Sequence, residues 1–297
     1  MALFDSYLVV DWSAAATPKL GRDSIWSCLL GPDGTELVNH PTRAVFESWL
    51  TDTLRRLPGR VLAGFDFSFG YPAGFARALG LGGPAWSATW TSLAEAITDD
   101  ERNRNNRFAV AARWNLGIGD APGPFWGCPP AAASGSLAVR KPEFPCAGLD
   151  EYRNAERAMH AAGHRVFSSW QLLGVGSVGS QSLMGVPLLA RLLRSAAFGG
   201  RLEVWPFTTG LVADPTAGRA DTIVLAEVWP SWIPVDPGAH AVRDAAQVLG
   251  LSRRLEHLDQ AGELGAGFAP DVADAAVADV CEEEGWILGA GWRPAPT

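Results

Sequence analysis

The sequence predicts an α/β fold: a mixed β-sheet flanked by helices and carrying a large, mainly helical insertion. Three observations point to it. Two short apolar runs, at 6–12 and 61–67, are separated by two turn-linked strand patterns and one helical pattern. Regular alternation of strand and helix patterns resumes after residue 200. The stretch between is too long for an ordinary loop and too rich in tryptophan for disorder.

Taken in order, residues 6–12 (Ser-Tyr-Leu-Val-Val-Asp-Trp) form a buried strand that ends at an acid, and residues 24–30 form a second. The turn Gly31-Pro32-Asp33-Gly34 leads into a third strand near Glu36–Asn39, so the chain begins antiparallel. From 42 to 57, Val45, Phe46, Trp49, Leu50, Leu54 and Leu57 recur at helical spacing, with Thr42 as N-cap and Pro58-Gly59 as the stop. Residues 61–67 are then a strand that pairs parallel to the first through this helical crossover. In the insertion, helices are predicted at 86–97, 100–115, 149–162 and 183–193, around an irregular Pro/Gly/Ala-rich segment at 117–148. Strands at 201–206 and 222–229 and helices at 239–260 and 272–284 complete the chain. The expected division is 1–84 and 199–297 as two parts of one core, with 85–198 inserted between them.

Composition narrows the class. Of 297 residues, 47% are hydrophobic, which supports a sizeable core. No run approaches 18 uninterrupted apolar residues, so no transmembrane helix is expected. Met1–Asp5 has no basic region, so no signal peptide is expected and the cytoplasm is the expected location. Cys28, Cys128, Cys146 and Cys281 form no metal-ligand or disulfide pattern. The net charge of −8 disfavours broad, sequence-blind attraction to nucleic acid. Lys19 and Lys141 are the only lysines; arginine carries the rest of the positive charge, and it suits bidentate contacts to phosphate.

The strongest chemical signal is a recurrence. Asp11 ends the run Tyr7-Leu8-Val9-Val10, Asp66 ends Val61-Leu62-Ala63-Gly64-Phe65, and each is followed two residues later by a serine, Ser13 or Ser68. Ligands of α/β sheets bind beyond the carboxyl ends of strands. Neighbouring carboxylates there repel one another unless a cation holds them, and a hard cation such as Mg²⁺ or Mn²⁺ is the natural one. Glu227, after Thr222-Ile223-Val224-Leu225-Ala226, fits the same pattern. Asp271 and Asp274, three apart at a helix start, share a face; an N-cap role competes with a ligand role there, most strongly for Asp271.

With these residues in view, the chain resembles the ribonuclease-H-like superfamily, through its strand–strand–strand–helix–strand opening with an acid on the first and fourth strands. More closely, Val10-Asp11-Trp12-Ser13, Gly64-Phe65-Asp66-Phe67, and Glu227 to Pro230 with Ala273-Asp274-Ala275 resemble the domain-of-unknown-function 429 family of predicted RNase-H-like nucleases. The resemblance covers residues 5–80 and 200–288. It implies a metal-dependent phosphodiester hydrolase in which Asp11, Asp66, Glu227 and Asp274 hold one or two Mg²⁺ or Mn²⁺ ions, acting on a nucleic acid or a phosphate-bearing small molecule. No lysine or histidine stands beside the acids to serve as a general base.

Other features bear on the substrate. Arg102, Arg104 and Arg107, in the run Glu101–Arg107, suit phosphate contacts or equally a solvated helix face, and Ser13 and Ser68 are further candidate contacts. Residues 174–179 match G-x-G-x-x-G, but the next acid, Glu203, does not end a strand, so a dinucleotide site is not expected. A phosphate cradle and a tight turn both remain open for that segment. Two other functions stay open: a phosphotransferase of the actin-like or sugar-kinase type, with 11–13 and 66–68 as phosphate turns, and a non-catalytic binding module.

Overall fold

The computed structural model describes residues 2–119, 121–234, 236 and 238–291. Its centre is a six-stranded mixed sheet: β1 (Ser6–Asp11), β2 (Ile25–Gly31), β3 (Gly34–His40), β4 (Arg60–Phe65), β5 (Leu202–Val204) and β6 (Thr222–Glu227). The spatial order is β3-β2-β1-β4-β6-β5. The first three strands pair antiparallel and the remaining pairings are parallel. The predicted crossover is present: α1 (Arg43–Arg56) links β3 to β4, and the Thr42 hydroxyl accepts from Val45 N at 3.2 Å as its cap.

Strand alternation divides the core into two layers. Leu8, Val10, Ile25, Val61, Ala63, Phe65, Ile223 and Leu225 face one side, where they meet α1 through Phe46, Leu50 and Leu54. The same layer receives α3 (Ala85–Ala96), α4 (Arg107–Ile118) and α6 (Val178–Arg194), through Trp90, Trp114 and Leu183–Leu192. Residues 85–198 therefore share this face of the sheet with α1, and four buried rings (Tyr71, Phe75, Phe125 and Trp170) join the middle segment to the loop after β4. On the other face, Tyr7, Val9, Cys28, Leu62, Val224 and Ala226 meet the helix that begins at Arg243, through Val248, Leu251 and Leu255.

The remaining helices are α2 (Phe75–Ala78), α5 (Asn154–Ala161), α7 (Arg243–Gln260), α8 (Leu264–Phe268) and α9 (Asp274–Asp279), the last followed by a π turn at Val280–Glu284. The helix predicted over 100–115 begins only at Arg107. Asp100 and the asparagines explain the delay. Asp100 Oδ1 accepts from Arg102 N and Arg104 N, both at 2.9 Å, and Asn106 bonds Thr98 N, so side chains take the partners a helix would need. All four cysteines are unpaired. Among the described residues no helix is long and apolar enough to cross a membrane.

Candidate active site

The parallel strands β1, β4 and β6 lie side by side and end together, opening onto a cavity of about 740 Å³. Its floor is formed by Asp11, the last residue of β1, and Asp66, the first after β4. The Asp66 N–H donates to Val10 O at 3.0 Å, which continues the parallel ladder one step and sets the two acids side by side. Burial pushes the Asp11 carboxyl well above its ordinary range, and the charges of Asp66, Asp244 and Asp23 push the same way. Asp66 is pushed up to about 7, first by burial and then by the charges of Glu227 and Asp244. Among the described residues no hydrogen bond or ion pair reaches either carboxylate.

The register separates Glu227 from this pair. Val10 aligns with Phe65, and Phe65 with Glu227. Paired residues point to the same side of a sheet, so Glu227 falls in the row of Val10 and Phe65, while Asp11 and Asp66 fall in the next row, toward α7. Glu227 is 3% exposed and fully engaged: Arg153 Nη1 donates to Oε2 at 2.8 Å, Nη2 to Oε1 at 2.6 Å, and Phe69 N to Oε2 at 2.9 Å. Arg153 also binds both oxygens of Glu156 and the carbonyl of Glu284. Glu227 is thus the centre of a buried clamp at the edge of the cavity, with its oxygens committed to an arginine. The same clamp gathers the C-terminal segment: Glu284 accepts from Ala73 N and Asn154 N, and Glu283 from Gly74 N and Ala76 N. Gly70 permits this approach, since a Cβ there would sit 2.1 Å from Glu283 O.

Asp274 is also displaced from the expected role. It is exposed at the start of α9 and does not line the cavity, and Asp271 caps nothing, because the N-cap position belongs to Ala273. The acid whose charge raises both Asp11 and Asp66 is Asp244, in the first turn of α7. Asp244 Oδ2 also accepts from Asp23 N at 2.6 Å, tying α7 to the β1–β2 loop. Sequence reasoning missed Asp244 because an acid in a first turn is ordinary; its signal is that α7 packs its apolar stripe on β1 and β2, which brings its N-terminus to the sheet end.

The three arginines part company. Arg102 and Arg104 are exposed on the loop, Arg104 paired with Asp100 at 2.7 Å, and neither lines the cavity. Arg107 is 9% exposed and does line it, its Nε donating to Ser180 Oγ at 2.9 Å. Ser13 and Ser68 line the cavity as well, the Ser13 hydroxyl donating to Asp23 O. The glycine-rich turn forms the opposite lip; Gly176 has φ +76° and a Cβ there would meet the Phe167 ring at 2.2 Å, so the turn packs tightly with no strand leading into it.

A two-carboxylate floor can hold Mg²⁺, which keeps several waters and takes one or two protein carboxylates together with substrate phosphate oxygens. Among the described residues no group of three or more His, Cys, Asp and Glu side chains is placed to hold a metal ion, so the fit is to this sparse mode and not to an all-protein cage. The chain matches no protein-family model, no curated protein and no solved structure.

Proposed function

We propose that this chain is a metal-dependent phosphodiester hydrolase of the RNase-H-like kind, acting on a phosphate-bearing small molecule or a nucleic-acid end. The observation that carries the reading is the Asp11–Asp66 pair: two carboxylates with raised pKa and no protein counter-charge, at the ends of adjacent parallel strands and in a cavity of small-ligand size. The sheet order, with three antiparallel strands followed by parallel β4 and β6, supports the same fold family.

Asp11 and Asp66 would hold Mg²⁺ or Mn²⁺, which supplies positive charge at the scissile phosphate and lowers the pKa of bound water. Asp244 adds negative charge from the α7 side, which strengthens cation binding by the pair. Arg153 sets its one positive charge between Glu227 and Glu156, while no such partner stands beside Asp11 or Asp66 among the described residues. Lys19 and Arg22 stand at the rim, both within 4 Å of Asp23, where they can meet an incoming anion.

The phosphotransferase reading fits less well. Trp12 and Phe67, the central residues of the two would-be phosphate turns, pack on each other with centroids 5.7 Å apart and are buried. Their backbone is thus tied to the core and not left open to wrap a nucleotide. The test is hydrolysis of bis(p-nitrophenyl) phosphate and short oligonucleotides with Mn²⁺ or with EDTA. Metal-dependent release lost in Asp66→Asn supports the proposal; equal rates with EDTA, or ATP turnover in place of diester cleavage, overturn it.

A further inference from the structure

Arg107 presents a problem of its own. The residue is nine-tenths buried, yet no carboxylate lies within ion-pair distance of its guanidinium among the described residues. The nearest acid to influence it, Asp99, is already held by Arg43, Nε to Oδ2 at 2.6 Å and Nη2 to Oδ1 at 2.7 Å. Burial, joined by the like charge of Arg43, lowers the Arg107 pKa to about 10. A buried, unpaired cation is costly and persists where function or a ligand repays it.

The side chain is nevertheless held firmly. Nε donates to Ser180 Oγ at 2.9 Å, Nη1 to Asn105 Oδ1 at 2.8 Å, and the guanidinium carbon lies 4.5 Å from the Phe108 ring centroid. Ser180 is fixed in turn by donating to Leu172 O at 2.5 Å. Arginine has five N–H donors in a rigid fork, so these bonds orient the group and leave donors for the cavity that it lines. Ser177, whose carbonyl accepts from the N–H of the same Ser180 at 3.1 Å, occupies the N-cap position of α6 without capping it, and also lines the cavity. The first-turn N–H groups of α6 are already satisfied, Gly179 N by Gln171 O and Ser180 N by Ser177 O, so the helix adds its dipole and not its donors.

We propose that Arg107 and Ser177 form a subsite for a second, non-scissile phosphate of the substrate, in the cavity of Asp11 and Asp66 but in contact with neither. The assignment to phosphate rests on the hydrolase reading. The substrate class it names is a phosphodiester with a further phosphate nearby, as in an oligonucleotide or a dinucleotide polyphosphate. A planar guanidinium fork takes two oxygens of such a group at once.

The test is calorimetric titration of inorganic phosphate into the full chain in EDTA, at constant ionic strength, with acetate as competitor. The wild type should bind phosphate saturably, Arg107→Gln should weaken it by about tenfold or more, and Arg107→Lys should lie between. Asp66→Asn should bind phosphate as well as the wild type or better. Wild-type affinity in Arg107→Gln, no saturable binding by the wild type, or equal competition by acetate overturns the proposal. If Arg107→Gln does not fold, Arg107→Lys decides: undiminished affinity with lysine shows that the fork has no part. Mn²⁺ binding is read separately. Its absence alongside Arg107-dependent phosphate binding would sink the hydrolase reading and leave an anion site; its presence with no phosphate binding would do the reverse.

Discussion

Arg153 and Glu227 meet in a two-point ion pair, with one guanidinium nitrogen on each carboxylate oxygen, and neither residue is more than 3% exposed. The pair joins the end of β6 to α5 and, through Glu284, to the C-terminal segment. Breaking one side of such a pair leaves a buried charge alone. Arg153→Met should therefore cost about 3–5 kcal/mol of stability, read by urea unfolding. Glu227→Gln should destabilise also, while changing Mn²⁺ affinity by less than Asp66→Asn does. A stable Glu227→Gln protein that no longer binds metal would restore Glu227 as a ligand.

The floor acids predict the opposite sign. Asp11→Asn and Asp66→Asn remove a charge that burial and its neighbours oppose, so the metal-free protein should gain stability on the order of 1 kcal/mol at pH 8, after allowance for the open cavity. Thermal melts in EDTA measure it. A large loss of melting temperature would show that these side chains are structural caps.

Acidity follows from the same shifts. A carboxyl whose pKa is higher folded than unfolded binds more protons in the native state, so its contribution to stability is lost as pH rises. For Asp66 the window runs from its ordinary value of 3.8 up to about 7. Metal-free wild type should lose stability across that window, and Asp66→Asn should flatten the slope. Metal affinity should rise over the same range, because the ligands must shed their protons. A melting profile identical in wild type and Asp66→Asn would contradict the shift.

The two late acids are separated by a paired comparison. Asp244→Asn should lower metal affinity several-fold by removing charge from beside the pair, and should loosen the β1–β2 loop held through Asp23. Asp274→Asn should leave metal affinity alone and cost about 0.3–1 kcal/mol at the α9 terminus. The reverse pattern in Mn²⁺ titrations would return Asp274 to the site. Arg102 and Arg104, exposed on their loop, should tolerate alanine within about 0.5 kcal/mol and with unchanged substrate binding.

Asp11 and Asp66 were legible in the sequence because each is a lone acid at the end of an apolar run, and that pattern reports directly on a strand's carboxyl end. Glu227 carries the same signal, yet its face depends on register with β4, which a single strand's pattern does not contain. Asp244 was hidden for the opposite reason: its local context is an ordinary helix start, and only the docking of α7 across β1 and β2 brings it to the cavity. In the arginine run, Asp100, Asn105 and Asn106 divert the backbone into a loop, so that Arg107 turns inward while Arg102 and Arg104 stay in solvent. The sheet itself followed from alternation and turn residues, β5 included, although the strand expected over 201–206 is only three residues long and lies at the edge beyond β6.

The most direct measurement is an Mn²⁺ titration of the purified chain at pH 8, followed by electron paramagnetic resonance of the free ion. Saturable binding by the wild type, lost in both Asp11→Asn and Asp66→Asn but kept in Glu227→Gln and Asp274→Asn, is the predicted result. No binding by the wild type, or binding that survives loss of both floor aspartates, would contradict the assignment of Asp11 and Asp66 as the metal-holding pair.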